Sequence, residues 1–286
     1  MDKKMKILIA GGDLRQLICG ERLAEKYDIY VIGFGEEQLS GKERLKRADI
    51  TMTGEFGCVI LPVPPLTESG CISTPLGGGL TAADVSLMIK KGGLLFTGRQ
   101  DQRLQTYFPH CEITDYMSRE ELSLKNAVPT AEGAVKIALE ELPVTLNGLP
   151  VLITGLGRIG TALAVILKGF GAEITAAVRN GRGAAKARIL GIKSVCTKDM
   201  DSGYRLVFNT APELVFTGEV LERFQPDTLF IDLASRPGGI DFESAAALGR
   251  KVIWALGLPG KTAPVTAGEI VAETISGILE ERGYDK

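Results

Sequence analysis

The chain has 286 residues, of which 45% are hydrophobic and 24% are charged. This length and composition predict a globular protein with a sizeable core and, as a first estimate, two domains. The 33 basic and 35 acidic residues nearly cancel, so no large electrostatic field is available to bind nucleic acid or an anionic membrane surface.

The sequence predicts neither a membrane segment nor a metal site. The apolar run that follows residues 1–6 stops at Gly11 and Gly12, which is too short for a signal peptide or an anchor, and no later segment has about eighteen uninterrupted apolar residues. The five cysteines are scattered and include no C-x-x-C pair, which is typical of free thiols in a reducing compartment. We therefore expect a cytoplasmic protein.

The first half of the chain predicts alternating strands and helices. Residues 7–10 form an apolar run that ends in a glycine turn, a helical pattern follows, and residues 29–32 form the next apolar run. Further strands are predicted at 58–61 and 94–96, with helices near 82–90 and 101–107. This alternation favours a parallel sheet with helices on its faces.

The second half begins with a predicted bridging helix and then repeats the same plan. The helix is expected to start at Pro129-Thr130 and to end before Pro143. Strands are predicted at 151–154, 173–178, 206–209, 229–233 and 251–254. The last segment, 267–281, has apolar residues at helical spacing, which suits a terminal helix packed across a domain boundary.

The clearest motif is Gly155-Leu156-Gly157-Arg158-Ile159-Gly160, which has the spacing G-x-G-x-x-G between a predicted strand and a predicted helix. The first glycine permits a tight turn, the second lets the backbone approach a pyrophosphate, and the third allows close packing of helix on strand. The helix N-terminus supplies N–H groups for phosphates. A glycine turn without a ligand is the alternative, but its position in a βαβ unit favours a dinucleotide site.

The end of the next strand indicates which dinucleotide binds. NAD sites offer Asp or Glu about twenty residues after the glycine motif, but this strand ends at Val178-Arg179-Asn180. Arg179 suits a 2′-phosphate, and Arg182 offers a second cation. We therefore predict NADP as the cofactor, with a solvated surface arginine as the alternative for Arg179.

Further loops are expected at the same edge of the sheet. Thr210-Ala211-Pro212 follows one strand and Gly257-Leu258 follows the last one, and loops in these places border a bound dinucleotide. A proline at a strand exit or a rigid connector explains them as well. Together with Gly155, Gly157, Arg158, Ile159, Gly160, Arg179 and Asn180, they complete the predicted cofactor site.

The loop after the strand at 229–233 is the predicted substrate loop. Asp232, Ser235 and Arg236 place a carboxylate, a hydroxyl and a guanidinium at the end of a buried strand, where polar groups are costly to bury. Arg236 suits a substrate carboxylate, and Gly238 and Gly239 are expected to let nearby backbone N–H groups approach a ligand. A capped turn with a salt bridge is the alternative for Asp232.

The first domain offers a second anion site. Gly11-Gly12-Asp13-Leu14-Arg15-Gln16 places Arg15 and Gln16 at a predicted helix N-terminus, which favours anions. The single histidine, His110, precedes a predicted strand of this domain, so we interpret it as structural. The late histidine acid/base of 2-hydroxy-acid dehydrogenases therefore has no counterpart here.

Five segments together resemble the family of dipicolinate synthase A subunits. They are residues 11–16, Pro-Thr-Ala-Glu-Gly at 129–133, the glycine motif at 155–160, Asp-Leu-Ala-Ser-Arg-Pro-Gly-Gly at 232–239 and Gly-Leu-Pro-Gly at 257–260. The resemblance spans nearly the whole chain. Its most specific parts are the Ser-Arg-Pro-Gly-Gly segment and the later Gly-Leu-Pro-Gly run.

The resemblance implies oxidation of a dihydrodipicolinate to pyridine-2,6-dicarboxylate with NADP, in the mother cell during sporulation. It also implies a partner, the smaller, flavoprotein-like B subunit of dipicolinate synthase, and we expect an oligomer. A dicarboxylate needs two anion ligands, for which Arg15 and Arg236 are the candidates, one from each domain. Asp232 and Glu132 are the candidate proton acceptors, and the sequence does not choose between them.

The predicted fold class is α/β, with two Rossmann-like domains that have parallel sheets and face one cleft. The predicted boundaries are 1–125 for a substrate and catalytic domain, 126–148 for the bridging helix and linker, 149–265 for the NADP-binding domain and 266–286 for the C-terminal helix. Two other functions stay open. One is another NADP-linked dehydrogenase of a small carboxylate, of the shikimate dehydrogenase type, and the other is a non-catalytic, nucleotide-binding component of a two-subunit enzyme.

Overall fold

The computed structural model describes residues 4–76, 79–99 and 101–284. The chain divides into two compact units, one of residues 1–125 with 264–286 and one of residues 126–263. Each unit contains a six-stranded sheet, which confirms the predicted α/β class with two Rossmann-like domains. None of the helices in the described ranges has the length and hydropathy that a membrane crossing requires.

The first unit is a parallel sheet with helices on both faces. Its strands are β1 (Lys6–Ala10), β2 (Asp28–Ile32), β3 (Lys46–Arg47), β4 (Phe56–Ile60), β5 (Ile89–Thr97) and β6 (Glu112–Asp115). Its helices are α1 (Leu14–Leu23), α2 (Glu36–Leu39), α3 (Ala82–Met88) and α4 (Gln102–Tyr107), and a 3₁₀ turn (Tyr116–Ser118) follows β6. The strand order is β3-β2-β1-β4-β5-β6. Ile7 and Ile9 pack on one face of the sheet and Leu8 and Ala10 on the other, as the two-residue period of a strand requires.

The long helix α5 (Glu120–Glu141) begins earlier than the sequence predicts. Pro129 lies inside it rather than at its start. The sequence favours a start there because proline is common in the first helical turn and disrupts later ones. In the structure Ala127 and Ala131 are buried on either side of Pro129, and this packing offsets the hydrogen bond that proline cannot donate. The division between the two units falls within this helix.

The second unit repeats the strand order of the first. Its strands are β7 (Pro150–Thr154), β8 (Glu173–Val178), β9 (Lys193–Cys196), β10 (Leu206–Asn209), β11 (Leu229–Asp232) and β12 (Lys251–Trp254). Its helices are α6 (Arg158–Gly169), α7 (Gly181–Leu190), α8 (Gly218–Glu222), α9 (Phe242–Ala247) and α10 (Leu258–Thr262). The order is β12-β11-β10-β7-β8-β9. The strand order therefore reverses between the neighbouring parallel strands β7 and β10. Open α/β sheets bind ligands at the carboxyl ends of the strands where the order reverses.

The C-terminal helix α11 (Pro264–Glu281) belongs to the first unit. It begins slightly before the predicted residue 267, and its predicted apolar stripe is buried: Ile270, Val271, Ile275, Ile278 and Leu279. A Cβ on Gly268 would lie 2.6 Å from the carbonyl oxygen of Arg15. Glycine at this position therefore lets α11 pack closely against α1.

Candidate functional site

The turn between β7 and α6 has the geometry that the glycine spacing predicts. Gly155 has a φ of +83°, which favours glycine. A Cβ on Gly160 would lie 2.0 Å from the carbonyl oxygen of Gly155, whereas a Cβ on Gly157 would meet no described atom within 4 Å. Gly157 is also the N-cap residue of α6, and no side chain accepts a hydrogen bond at this cap. The backbone at Gly157 is therefore open, and N–H groups of the first helical turn lie beside it.

This turn borders a groove of about 390 Å³ at the carboxyl edge of the second sheet. Among the residues predicted to bind the cofactor, those that line it are Gly155, Gly157, Arg179, Asn180, Thr210, Ala211 and Pro212. Thr210 Oγ1 donates to the carbonyl oxygen of Thr154 at 2.7 Å. Asn180 Oδ1 accepts from the N–H of Gly183 at 3.1 Å and caps α7. The loops after β7, β8 and β10 thus meet at one groove.

The other residues predicted to contact the cofactor are not among those that line this groove. Arg158 is exposed at the start of α6, and Ile159 is partly buried against the core of the second unit. Gly257 is exposed at the start of α10, and Leu258 is a core residue that is 5% exposed. The sequence left the segment after β12 open between a binding loop and a connector, and in the structure it is the short helix α10.

The predicted cations Arg179 and Arg182 both line the groove, together with two charged residues that the sequence did not indicate, Glu213 and Lys186. Arg179, the predicted 2′-phosphate ligand, forms an ion pair with Glu213. Glu213 follows Pro212 in the loop after β10, and no sequence pattern places this acid beside Arg179 because the two are far apart in the chain. Lys186 was missed for the same reason; it lines the groove, and its Nζ donates to the carbonyl oxygen of Leu156 at 3.0 Å.

The last residues of three neighbouring strands, Thr154, Asn209 and Asp232, form a buried polar row. They are in register across β7, β10 and β11, and each is 0% exposed. Thr154 Oγ1 donates to Asn209 Oδ1 at 2.5 Å, and Asn209 Nδ2 donates to Asp232 Oδ1 at 2.7 Å. The row ties together three strand ends at the edge where the groove lies.

Asp232 also holds the loop that follows β11. Its carboxylate accepts from the N–H of Ala234 at 3.0 Å and from the N–H of Gly239 at 2.8 Å. With Asn209, these donors satisfy a fully buried carboxylate, as buried polar groups require. The geometry thus indicates a positioning role and gives no support to the predicted role of Asp232 as proton acceptor.

The N–H groups of the two glycines in this loop are both used within the protein, so neither is available to a ligand. The N–H of Gly238 donates to the carbonyl oxygen of Ser235 at 2.9 Å, and the N–H of Gly239 donates to Asp232. A Cβ on Gly239 would lie 2.3 Å from Asn209 Nδ2. Glycine is needed here because the loop packs against the polar row.

Arg236 is exposed in the same loop, beside exposed Ser235, and no carboxylate of the described residues pairs with it. Its guanidinium lies 5.4 Å from the centroid of the Trp254 ring. Trp254 Nε1 donates to the carbonyl oxygen of Ala234 at 3.0 Å, and Phe242 packs on the indole with ring centroids 5.0 Å apart. Arg236 therefore rests on a fixed aromatic surface and keeps its donors for an anion.

Glu132, the other predicted proton acceptor, is exposed on α5, and no hydrogen bond or ion pair joins it to another described residue. A Cβ on its neighbour Gly133 would lie 2.6 Å from Thr262 Oγ1, so the Pro-Thr-Ala-Glu-Gly segment packs closely on α10. Across the described ranges, no group of His, Cys, Asp and Glu side chains is arranged to hold a metal ion.

In the first unit, the predicted anion site after β1 is filled by the chain itself. The N–H of Gly12 donates to the carbonyl oxygen of Ser73 at 2.7 Å. Asp13 caps α1 by accepting from the N–H of Arg15 at 2.9 Å, and Gln16 Oε1 accepts from the N–H of Asp13 at 3.0 Å. Gln16 is only 1% exposed. The carboxylate of Asp13 therefore lies where the sequence predicts a bound anion. The buried side chain of Gln16 serves the helix cap, where it accepts a hydrogen bond from the N–H of Asp13.

Arg15 pairs with the carboxylate of Asp13 through Nε and Nη2, at 2.9 and 2.8 Å. This hydrogen-bonded contact raises the pKa of Arg15. Nη1 has no partner among the described residues. One side of the guanidinium thus remains for the predicted contact with a carboxylate.

Comparison with protein families gives a match for each unit. Residues 6–117 match the model of the N-terminal domain of the dipicolinate synthase A subunit. Residues 126–251 match the NAD-binding domain of D-isomer specific 2-hydroxyacid dehydrogenases. The second match supports an oxidoreductase domain that binds a nicotinamide dinucleotide.

Individual relatives cover 97% to 100% of the chain. The dipicolinate synthase A subunit of Bacillus subtilis is 30% identical in an alignment of 293 positions that covers 97% of this chain and 96% of that protein. The crystal structure of dipicolinate synthase, A chain, from Bacillus subtilis covers 100% of this chain and 99% of its own, with a TM-score of 0.88 and 29% identity. The crystal structure of the corresponding protein from Bacillus halodurans covers 98% and 99%, with a TM-score of 0.88 and 27% identity.

Proposed function

We propose, because this chain belongs to the family of dipicolinate synthase A subunits, that it oxidises a dihydrodipicolinate to pyridine-2,6-dicarboxylate with NADP. The observation that carries the proposal is the open backbone at Gly157 beside a groove lined by Arg179 and Lys186. A dinucleotide phosphate needs both features, a turn that the pyrophosphate can approach and cations for the 2′-phosphate. When bound, the nicotinamide accepts the hydride.

The reaction removes a hydride and a proton from a dihydropyridine ring and leaves an aromatic pyridine. Aromatisation favours this change, so the residues of the chain chiefly bind the two carboxylates, orient the ring and exclude unproductive poses. Arg236 suits one carboxylate because it is exposed, unpaired among the described residues and supported by Trp254. Arg15 is the proposed ligand of a carboxylate through its Nη1 edge.

Replacement of Arg236 by alanine tests the substrate loop. Loss of a charge-assisted hydrogen bond costs roughly 1.5–3 kcal/mol, so we expect KM for dihydrodipicolinate to rise about 10- to 150-fold. The dissociation constant of NADPH is expected to stay unchanged. Arg236→Lys keeps the charge but loses the planar fork, so its KM should lie between those of the alanine variant and the wild type. Unchanged substrate kinetics in Arg236→Ala would show that Arg236 does not bind the substrate.

Replacement of Arg179 by alanine tests the choice of cofactor. We expect the dissociation constant of NADPH to rise about tenfold or more, because a charge-assisted contact with the 2′-phosphate is lost. NADH has only a hydroxyl at that position, so its binding should change little. Titration with both reduced cofactors measures this, and an equal loss for the two would contradict the 2′-phosphate role.

A second candidate function is that of a nucleotide-binding component whose partner completes the chemistry. The observation that favours it is the environment of Asp232, which is buried and fully hydrogen-bonded rather than presented to a substrate. The partner in this case would be the flavoprotein-like B subunit, in the mother cell during sporulation. Turnover by the purified chain alone supports the first function, whereas turnover only after addition of that partner supports the second.

A further inference from the structure

Glu213 is the acidic residue of the groove that the proposed function does not use. It lines the groove together with Arg179, Arg182 and Lys186, and its carboxylate pairs with Arg179. The side chains of Arg179 and Glu213 are 63% and 65% exposed. Both partners can therefore be reached by a ligand that enters the groove.

The backbone that carries Glu213 is fixed by the buried polar row. Asn209 Nδ2 donates to the carbonyl oxygen of Ala211 at 3.0 Å, and Asn209 Oδ1 accepts from the N–H of Ala211 at 3.2 Å. On the other side, a Cβ on Gly239 would lie 2.9 Å from the carbonyl oxygen of Glu213. The loop is thus held from two sides, and Glu213 is placed beside Arg179 by contacts that are partly buried.

We propose that Glu213 is a specificity-determining residue that competes with the 2′-phosphate of NADP for Arg179 and thereby limits the preference for NADP over NAD. The inference rests on the proposed function. A 2′-phosphate carries more than one negative charge, so it must displace the Glu213 carboxylate from Arg179 and then remain close to it. A 2′-hydroxyl can instead donate a hydrogen bond to that carboxylate, so NADH does not meet this competition.

The substitution Glu213→Gln removes the competing charge and keeps the shape of the side chain. We expect the dissociation constant of NADPH to fall about five- to tenfold. The variant has no carboxylate to repel the 2′-phosphate, and no exposed ion pair has to be broken before Arg179 binds it. The constant for NADH should stay the same or rise, because a charged acceptor is lost. Glu219→Gln, a change in the same unit outside the groove lining, is the matched control and should leave both constants unchanged.

A double-mutant cycle with Arg179→Ala makes the test specific to the pair. If Glu213 competes for Arg179, then Arg179→Ala should cost more NADPH affinity in the Glu213→Gln background than in the wild type, since no ion pair has to be broken there. Additive effects, or an unchanged ratio of NADPH to NADH affinity in Glu213→Gln, would overturn the inference. Failure of the wild type to bind either reduced cofactor would instead contradict the proposed function itself.

Discussion

Replacement of Gly157 by alanine is expected to weaken NADPH binding about a hundredfold, or roughly 2.7 kcal/mol, while the second unit stays folded. Gly157 has a φ of −75° and a ψ of −158°, which alanine adopts without strain. The added methyl group would meet no described atom within 4 Å, so it would extend only into the space that a pyrophosphate must approach. Titration by the fluorescence of the reduced nicotinamide, together with thermal unfolding, measures both expectations.

Gly160→Ala is the matched control for that experiment. A Cβ at this position would lie 2.0 Å from the carbonyl oxygen of Gly155, so the variant should lose about 3 kcal/mol of stability from overpacking. The two glycines belong to one motif but differ in what surrounds them. Comparing the two variants therefore distinguishes a methyl group that blocks the ligand from a methyl group that disturbs the packing of the protein. Wild-type NADPH affinity in Gly157→Ala would contradict the placement of the dinucleotide at this turn.

Replacement of Asp232 by alanine is expected to lower the free energy of unfolding by about 3–5 kcal/mol. The change leaves the amide of Asn209 and the N–H groups of Ala234 and Gly239 without their acceptor in a buried place. Asp232→Asn keeps the volume but turns one acceptor into a donor that faces another donor, so a loss of about 2 kcal/mol is expected. Urea unfolding of the purified variants gives these values.

The same variants separate positioning from catalysis at Asp232. Because its carboxylate holds the loop that carries Arg236, Asp232→Asn should raise KM for the substrate along with the loss of stability. A variant that keeps the wild-type stability and KM but loses kcat would show that Asp232 takes the proton in the reaction.

The sequence predicted the elements that carry strong patterns. Apolar runs indicated the inner strands, with a glycine directly after the runs of β1, β2 and β7, and the G-x-G-x-x-G spacing indicated the turn at Gly155 with its packing at Gly160. The edge strands β3 and β9 escaped prediction because most of their side chains are exposed and form no apolar run. The start of α5 was wrong because proline favours helix starts locally, whereas the core packing that retains Pro129 inside the helix is not visible in the sequence.

Residue types at the site were predicted better than their roles. Asp232, Gly238 and Gly239 were predicted to bind or act on a substrate, but the same residue types serve a buried polar row and close packing as readily as they serve a ligand. Glu213, Lys186 and Trp254 were missed because each reaches its partner through the fold. Glu213 does so from the loop after β10, Lys186 from α7 and Trp254 from the end of β12. Such pairings depend on strand order and register, which sequence spacing alone does not give.

The proposed reaction is tested most directly by the absorbance of NADPH when the purified chain is mixed with NADP and dihydrodipicolinate. The proposal predicts that NADPH accumulates in equal amount with dipicolinate, and that Gly157→Ala, although folded, needs about a hundredfold more NADP to produce it. Absence of NADPH formation by a wild-type chain that binds NADPH would contradict the assignment of the oxidation to this chain.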